Sequence, residues 1–234
     1  MRIIRFFIKL LVLILVIILS VKVGMVCFDG YSMYKSAMEE QSMESRVEEA
    51  RADSSYADLE YISDDFLNAV ISVEDRDFYD HRGVSIKSIG RAVLANMRSG
   101  EYSEGGSTIT QQVAKNLCFS MEKDMSRKVA ELIAAKELEK HYSKDDILEL
   151  YVNIIYYGDG YMGVGEASMG YFGKAPSELD LNESTLLAGL PQAPSAYALS
   201  SNMDRALERQ EEVVSAMVSN DVLTEEEAQA LLGE

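Results

Sequence analysis

The chain has 234 residues, 47% of them hydrophobic, with 39 acidic against 22 basic side chains and a formal net charge of −17. That length fits one large domain, or one domain with an anchor, and buries a sizeable core without staples. Two cysteines, Cys27 and Cys118, exclude a disulfide framework; no Cys/His cluster has metal-ligand spacing, and the acidity speaks against nucleic acid as a partner.

Residues 6–28 are almost wholly apolar, interrupted by Lys9 and Lys22. A helix over residues 9–28 has about the 20 residues needed for a hydrocarbon core of ~30 Å, with both lysines snorkelling to opposite interfaces. Arg2, Arg5 and Lys9 lie at its start, so the N-terminus is expected in the cytoplasm and the remainder outside. A cleaved signal peptide competes with this reading, but no small-x-small cleavage site follows Val21, which favours a retained anchor. Four basic residues and no acid precede residue 29, so the exported part is more acidic than the whole. Residues 29–60 are polar and acidic and read as a stalk or an irregular helix; 61–234 read as the functional domain.

Apolar stripes at helical spacing follow, with few candidate strands, so the class is mainly α. Ser63 is a candidate cap for a helix whose first turn holds Asp64 and Asp65. That helix leads into Glu74-Asp75-Arg76-Asp77-Phe78-Tyr79-Asp80-His81-Arg82-Gly83. A carboxylate at the mouth of an apolar helix loses hydration, which raises its pKa and equips it to accept a proton. On its own such a pair is more often a solvated helix end. Between His81 and Gly100 there is no acid, while Arg82, Lys87, Arg91 and Arg98 supply positive charge; Lys115, Lys123, Arg127 and Lys128 form a second basic group. Local positive charge in an acidic protein points to a bound anion, with surface balancing as the plainer alternative.

Gly105-Gly106-Ser107-Thr108 precedes a helix beginning at Ser107 or Thr108, whose free N–H groups are suited to an anion. Gln111 and Gln112 lie four and three residues before Lys115, so amide and ammonium share a face, with Asn116 next to them. Ser126 is a candidate cap for a helix through Arg127 and His141. On it Arg127 and Glu131 are one turn apart, and Ala134, Ala135 and Leu138 continue the face of Glu131. A carboxylate on such a face needs a partner if buried; exposed, it is an ordinary i,i+4 pair. Ser143 and Asp146 make a capping box for a structural helix with Ile147, Leu150, Tyr151 and Ile154 on one face. The glycine-rich residues 158–173 read as a loop with short helical turns. Asn182 starts a further helix, an amphipathic one covers residues 203–219 with Asn220 at its end, and Thr224 with Glu227 caps the last.

In this order the segments resemble the peptidoglycan glycosyltransferases, which polymerise lipid II. The pattern E-D-x-x-F-x-x-H-x-G is met by residues 74–83, G-x-S-T-I-T-Q-Q by 105–112 with Lys115-Asn116 after it, R-K-x-x-E by 127–131, and I-L-E-x-Y-x-N by 147–153. Gly163-Val164-Gly165-Glu166-Ala167, Tyr171-Phe172-Gly173-Lys174 and Leu190-Pro191-Gln192-Ala193-Pro194-Ser195 are also similar to the family. Val152, and Asp159-Gly160-Tyr161-Met162, depart from it. The likeness covers about residues 60–220, and the short remainder leaves no room for a penicillin-binding domain, so a monofunctional enzyme is expected.

The resemblance implies a lysozyme-like helical domain with a membrane-associated second lobe, anchored by one transmembrane helix in a bacterial cell membrane. It implies lipid II and a growing lipid-linked glycan strand as substrates, with cell-wall synthesis proteins as further partners. Glu74 would be the general base. Lys115, Arg127 and Lys128 would stabilise the departing pyrophosphate, and Ser107, Gln111, Gln112 and Asn116 would help position the donor. Asp75, Phe78 and His81 would support the Glu74 loop. Glu131 would either orient Arg127 and Lys128 or hold a divalent cation (Mg or Mn) on the pyrophosphate. Two other readings compete: a glycan-cleaving enzyme, disfavoured because a neutral glycan needs no such cations, and a catalytically silent anchored scaffold.

Overall fold

A computed structural model describes residues 2–91, 105–119 and 124–233. Arg98 and Lys123 lie outside the described residues. The chain is mainly α; among the described residues the only β pairing is an isolated antiparallel bridge between Tyr156 and Met162.

Helix α1 (Arg2–Glu40) continues past the apolar stretch without a break, and from Ile4 to Phe28 its large apolar side chains are exposed, apart from half-buried Val26. It is the one helix among the described residues long and apolar enough to cross a membrane. Its later part packs against the domain. Gly30 is pressed so closely onto α5 (Met125–His141) that an added Cβ would lie 2.6 Å from the Ser126 carbonyl and from Val129. Only glycine permits that approach.

The stretch expected as a stalk or irregular helix is therefore built into the domain. Helix α2 (Met43–Arg51), capped by Ser42, buries Met43 and Val47. Arg46 ties it down, donating to the carbonyls of Ala37 (3.1 Å) and Leu117 (2.8 Å). The following turn is held by α6 (Lys144–Ile154). Glu149 accepts from Leu59 N and the Tyr56 hydroxyl, both at 2.9 Å, and Asn153 exchanges two hydrogen bonds with the Ala57 backbone. This gives the E and N of the I-L-E-x-Y-x-N pattern a structural use.

Helix α3 (Asp64–Glu74) runs through the centre with Phe66, Ala69 and Val70 buried. It packs against α8 (Leu181–Gly189) and α10 (Met203–Ser219); α4 (Ile109–Cys118) packs against α5 and α6. Between α8 and α10 lies the short α9 (Pro194–Tyr197), and α11 (Glu225–Leu232) closes the chain. Phe66, Tyr151, Tyr157, Leu187 and Met217 fill the core between them. Leu117, Cys118 and Phe119 pack into or against this core, and both cysteines are free.

Several helix starts differ from the expectation. Ser63 stands at the N-cap of α3 without a capping hydrogen bond. Asp124, not Ser126, is the N-cap of α5, and Asp180 with Glu183 forms the box that starts α8, ahead of Asn182. Ser143 and Thr224 cap as expected. The glycine-rich stretch is a loop only as far as Met162; Gly163–Phe172 forms α7, ended by Gly173 in the left-handed conformation. Glycine lowers intrinsic helix preference, but at Gly165 a side chain would collide with the Ser55 carbonyl at 2.1 Å, so tight packing overrides propensity there.

Candidate functional site

Glu74 is the last residue of α3, where the helix dipole disfavours negative charge. Its Oε2 accepts a hydrogen bond from Gln112 Nε2 on α4 at 2.6 Å. Burial pushes the Glu74 carboxyl above its ordinary value; the Gln112 hydrogen bond, the Arg209 guanidinium and the Lys115 ammonium pull the other way. Glu74 as a residue is only half-buried. Tyr151 and Tyr157 are fully buried, and their phenols are pushed up first by burial and then by the charge of Glu74.

Lys115 connects this carboxylate to the second basic group. Burial lowers its pKa, Glu131 opposes that, and Arg127 and Lys128 lower it further, while Glu74 raises it. Glu131 is buried, with Arg127 Nε at 2.9 Å from Oε1 and Lys128 Nζ at 3.0 Å from Oε2. Lys128 also donates to Ser107 Oγ at 2.8 Å. The structure thus brings Glu74, Gln112, Lys115, Ser107, Arg127, Lys128 and Glu131 into one electrostatically connected site. Asn116 is exposed beside Lys115.

Gln111 belongs elsewhere. It is buried in the capping box of α4, where its Oε1 accepts from Thr108 N at 2.9 Å and Thr108 Oγ1 accepts from Gln111 N. The start of α4 is also not open to an external anion, because the Asp75 carboxylate already sits there, with Oδ2 3.1 Å from Ile109 N. The same oxygen lies 2.8 Å from His81 Nε2. Asp75 and His81 therefore join the end of α3, the following loop and the start of α4. Phe78 is fully buried, edge-on to His81, with Lys144 Nζ 4.4 Å above its ring.

Arg209 was missed in the sequence. It is buried on α10, donates from Nε to the Gly189 carbonyl at 3.4 Å, pairs with Glu212 and acts electrostatically on Glu74. The signal was its register: Ala206, Arg209, Gln210, Val213, Val214 and Met217 share the buried face, so two polar residues occupy core positions. Gln210 uses its place to bond Asn182 and Thr185 on α8.

Glu131 is engaged by two basic side chains. Both its oxygens face cations, and among the described residues no group of three or more His, Cys, Asp or Glu side chains is placed to hold an ion.

Comparison with known proteins adds a separate line. The transglycosylase family model matches residues 39–218. Penicillin-binding protein 1F of Bacillus subtilis is 42% identical over 160 residues, 68% of this chain and 22% of that protein. Penicillin-binding protein 1A of Neisseria lactamica is 45% identical over 167 residues, 71% of this chain and 21% of that protein. Among solved structures, penicillin-binding protein 1A from Haemophilus influenzae aligns with a TM-score of 0.45 and 23% identity over 76% of this chain and 17% of that one. The chain thus spans about a fifth of the length of the curated relatives it matches.

Proposed function

This chain belongs to the transglycosylase family, and we propose that it is a peptidoglycan glycosyltransferase that joins lipid II units into β-1,4-linked glycan. The observation that carries this reading is the placement of a desolvated carboxylate, Glu74, beside Lys115, whose other charged neighbours are Arg127, Lys128 and Glu131. Base and cationic cradle are what the reaction needs together.

Glu74 takes the proton from the acceptor sugar's 4-hydroxyl as that oxygen attacks the anomeric carbon of the lipid-linked donor. The bond from that carbon to the pyrophosphate oxygen breaks with its electron pair, and the α link is inverted to β. Pyrophosphate leaves without a proton when cations meet its growing charge, a stabilisation worth most in a water-poor site. Lys115, Arg127 and Lys128 supply those cations. Glu131 sets the last two in place, and Ser107 accepts a further hydrogen bond from Lys128. Gln112 aims the base, and its hydrogen bond favours the ionised form.

α1 serves as the membrane anchor, with the N-terminus cytoplasmic and the domain outside, a reading that its length and apolar composition support. The test is incubation of the detergent-solubilised protein with labelled lipid II, read as polymer on a gel. Polymer is the expected product. Absence of polymer, together with release of fragments from purified sacculi, would replace this reading by glycan cleavage.

A further inference from the structure

The basic residue Arg82 does not join the Glu74 site. It lines a separate cleft of about 820 Å³ with Tyr79, Asp80, His81, Lys136, Glu139, Lys140 and Lys144. Four cations face two carboxylates there, on an otherwise strongly acidic chain. Their partners differ. Lys144 is matched by Glu139, 2.6 Å from its Nζ, and Lys140 has only an exposed contact with Glu137 at 3.6 Å. Arg82 and Lys136 are exposed and have no ion pair among the described residues.

The cleft wall is fixed. Gly83, with φ of +79°, lies against the Ala135 carbonyl and Glu139, its carbonyl accepts from Thr108 Oγ1 at 2.7 Å, and Glu139 accepts from Thr110 Oγ1 at 2.7 Å. His81 belongs to the same fixed wall. Its side chain is 8% exposed, Nε2 is turned to Asp75, and Nδ1 is buried with no partner.

The location selects the occupant. α5 lies alongside the part of α1 beyond the exposed apolar stretch, with Ser126 and Val129 at Gly30. It must run away from the membrane, since the apolar residues before Gly30 are uncovered. Lys136 and Lys140 are therefore more than two helical turns further out than Lys128, on the wall side of the catalytic centre. Lipid pyrophosphate stays at the membrane; what passes outward is the product strand with its peptide stems, which carry carboxylates.

We propose that this cleft binds the carboxylates of peptide stems on the glycan strand, through Arg82, Lys136 and Lys140. The inference rests on the polymerase reading, and its test separates the two. Fluorescent soluble glycan oligomers are titrated into the full-length protein in detergent as three probes: with native stems, with stem carboxylates converted to amides, and with stems removed. The Lys136→Glu/Lys140→Glu double variant and Arg82→Glu are run in parallel, with melting curves as a check on folding. Native stems are expected to raise affinity about tenfold over both other probes, and the variants to lose that increment alone while still melting as the parent does. Equal affinity for native and amidated stems overturns the proposal, as does an unchanged increment in both variants. Displacement of the native-stem probe by an unrelated acidic peptide at equal concentration also overturns it, because the site would then be a docking point for acidic protein segments. Lipid II polymerisation, measured separately, reports on the polymerase reading alone.

Discussion

Removing the Asp75 carboxylate is expected to weaken the fold more than any nearby charge change. Asp75 is 1% exposed, and its Oδ2 meets the Ile109 N–H at 3.1 Å and His81 Nε2 at 2.8 Å. In Asp75→Ala both donors stay in place without an acceptor, and each unmet buried donor costs about 1–3 kcal/mol. Release of the carboxylate's own burial cost offsets part of this, leaving about 3 kcal/mol, or about 6–12 °C in melting temperature for a chain of this size. Asp75→Asn keeps an oxygen for Ile109 N–H and is expected to lose about 1–2 kcal/mol. Chemical denaturation of both variants, combined with His81→Ala, measures the shared part, expected at about 1 kcal/mol or more of coupling. The reasoning is refuted if Asp75→Ala melts within about 2 °C of the parent, or if its cost and that of His81→Ala simply add.

Four further outcomes concern the site and the helix beside it. Because burial lifts the Glu74 carboxyl, the acid limb of the pH–rate profile is expected above the ordinary glutamate range. Gln112→Ala removes a hydrogen bond that favours the ionised form and should move that limb to still higher pH; a downward or absent shift contradicts the assignment. Lys115→Met is expected to lower kcat/KM by about 10²–10³ without loss of fold, since it withdraws a cation from the departing pyrophosphate, and steady-state kinetics will show it. Gln111→Ala, in contrast, breaks the capping box of α4 and should cost about 1 kcal/mol of stability with KM unchanged; a raised KM at normal stability would return Gln111 to the substrate.

What was legible in the sequence were the features set by neighbours in the chain. Ser143 with Asp146 and Thr224 with Glu227 satisfy helix-end N–H groups three residues away, so their spacing is enough. Glu74, Lys115, Arg127 and Glu131 were legible because the motifs preserve them in a recognisable order. Contacts across the fold were not. Gln111 and Gln112 look equivalent in the sequence, yet one closes its own helix and the other reaches Glu74 on α3. The N–H groups at the start of α4 looked free for a ligand because the Asp75 carboxylate that meets them lies 34 residues earlier. Helix α7 hid behind its glycines because close packing against Ser55, not propensity, decides its conformation. Arg209 was passed over on a helix read only as amphipathic, although its core register set it apart.

The central claim is tested most directly by Glu74→Gln, assayed for polymerisation of labelled lipid II beside the parent, with both melted at neutral pH. A carboxyl raised in the folded state lends stability that is complete below its unfolded pKa and lost as pH rises through the folded one. Ionising Glu74 therefore costs the fold stability, a cost that uncharged glutamine avoids. The account predicts no polymer from a variant that melts no lower than the parent. Polymer formed at the parental rate by that variant would contradict it.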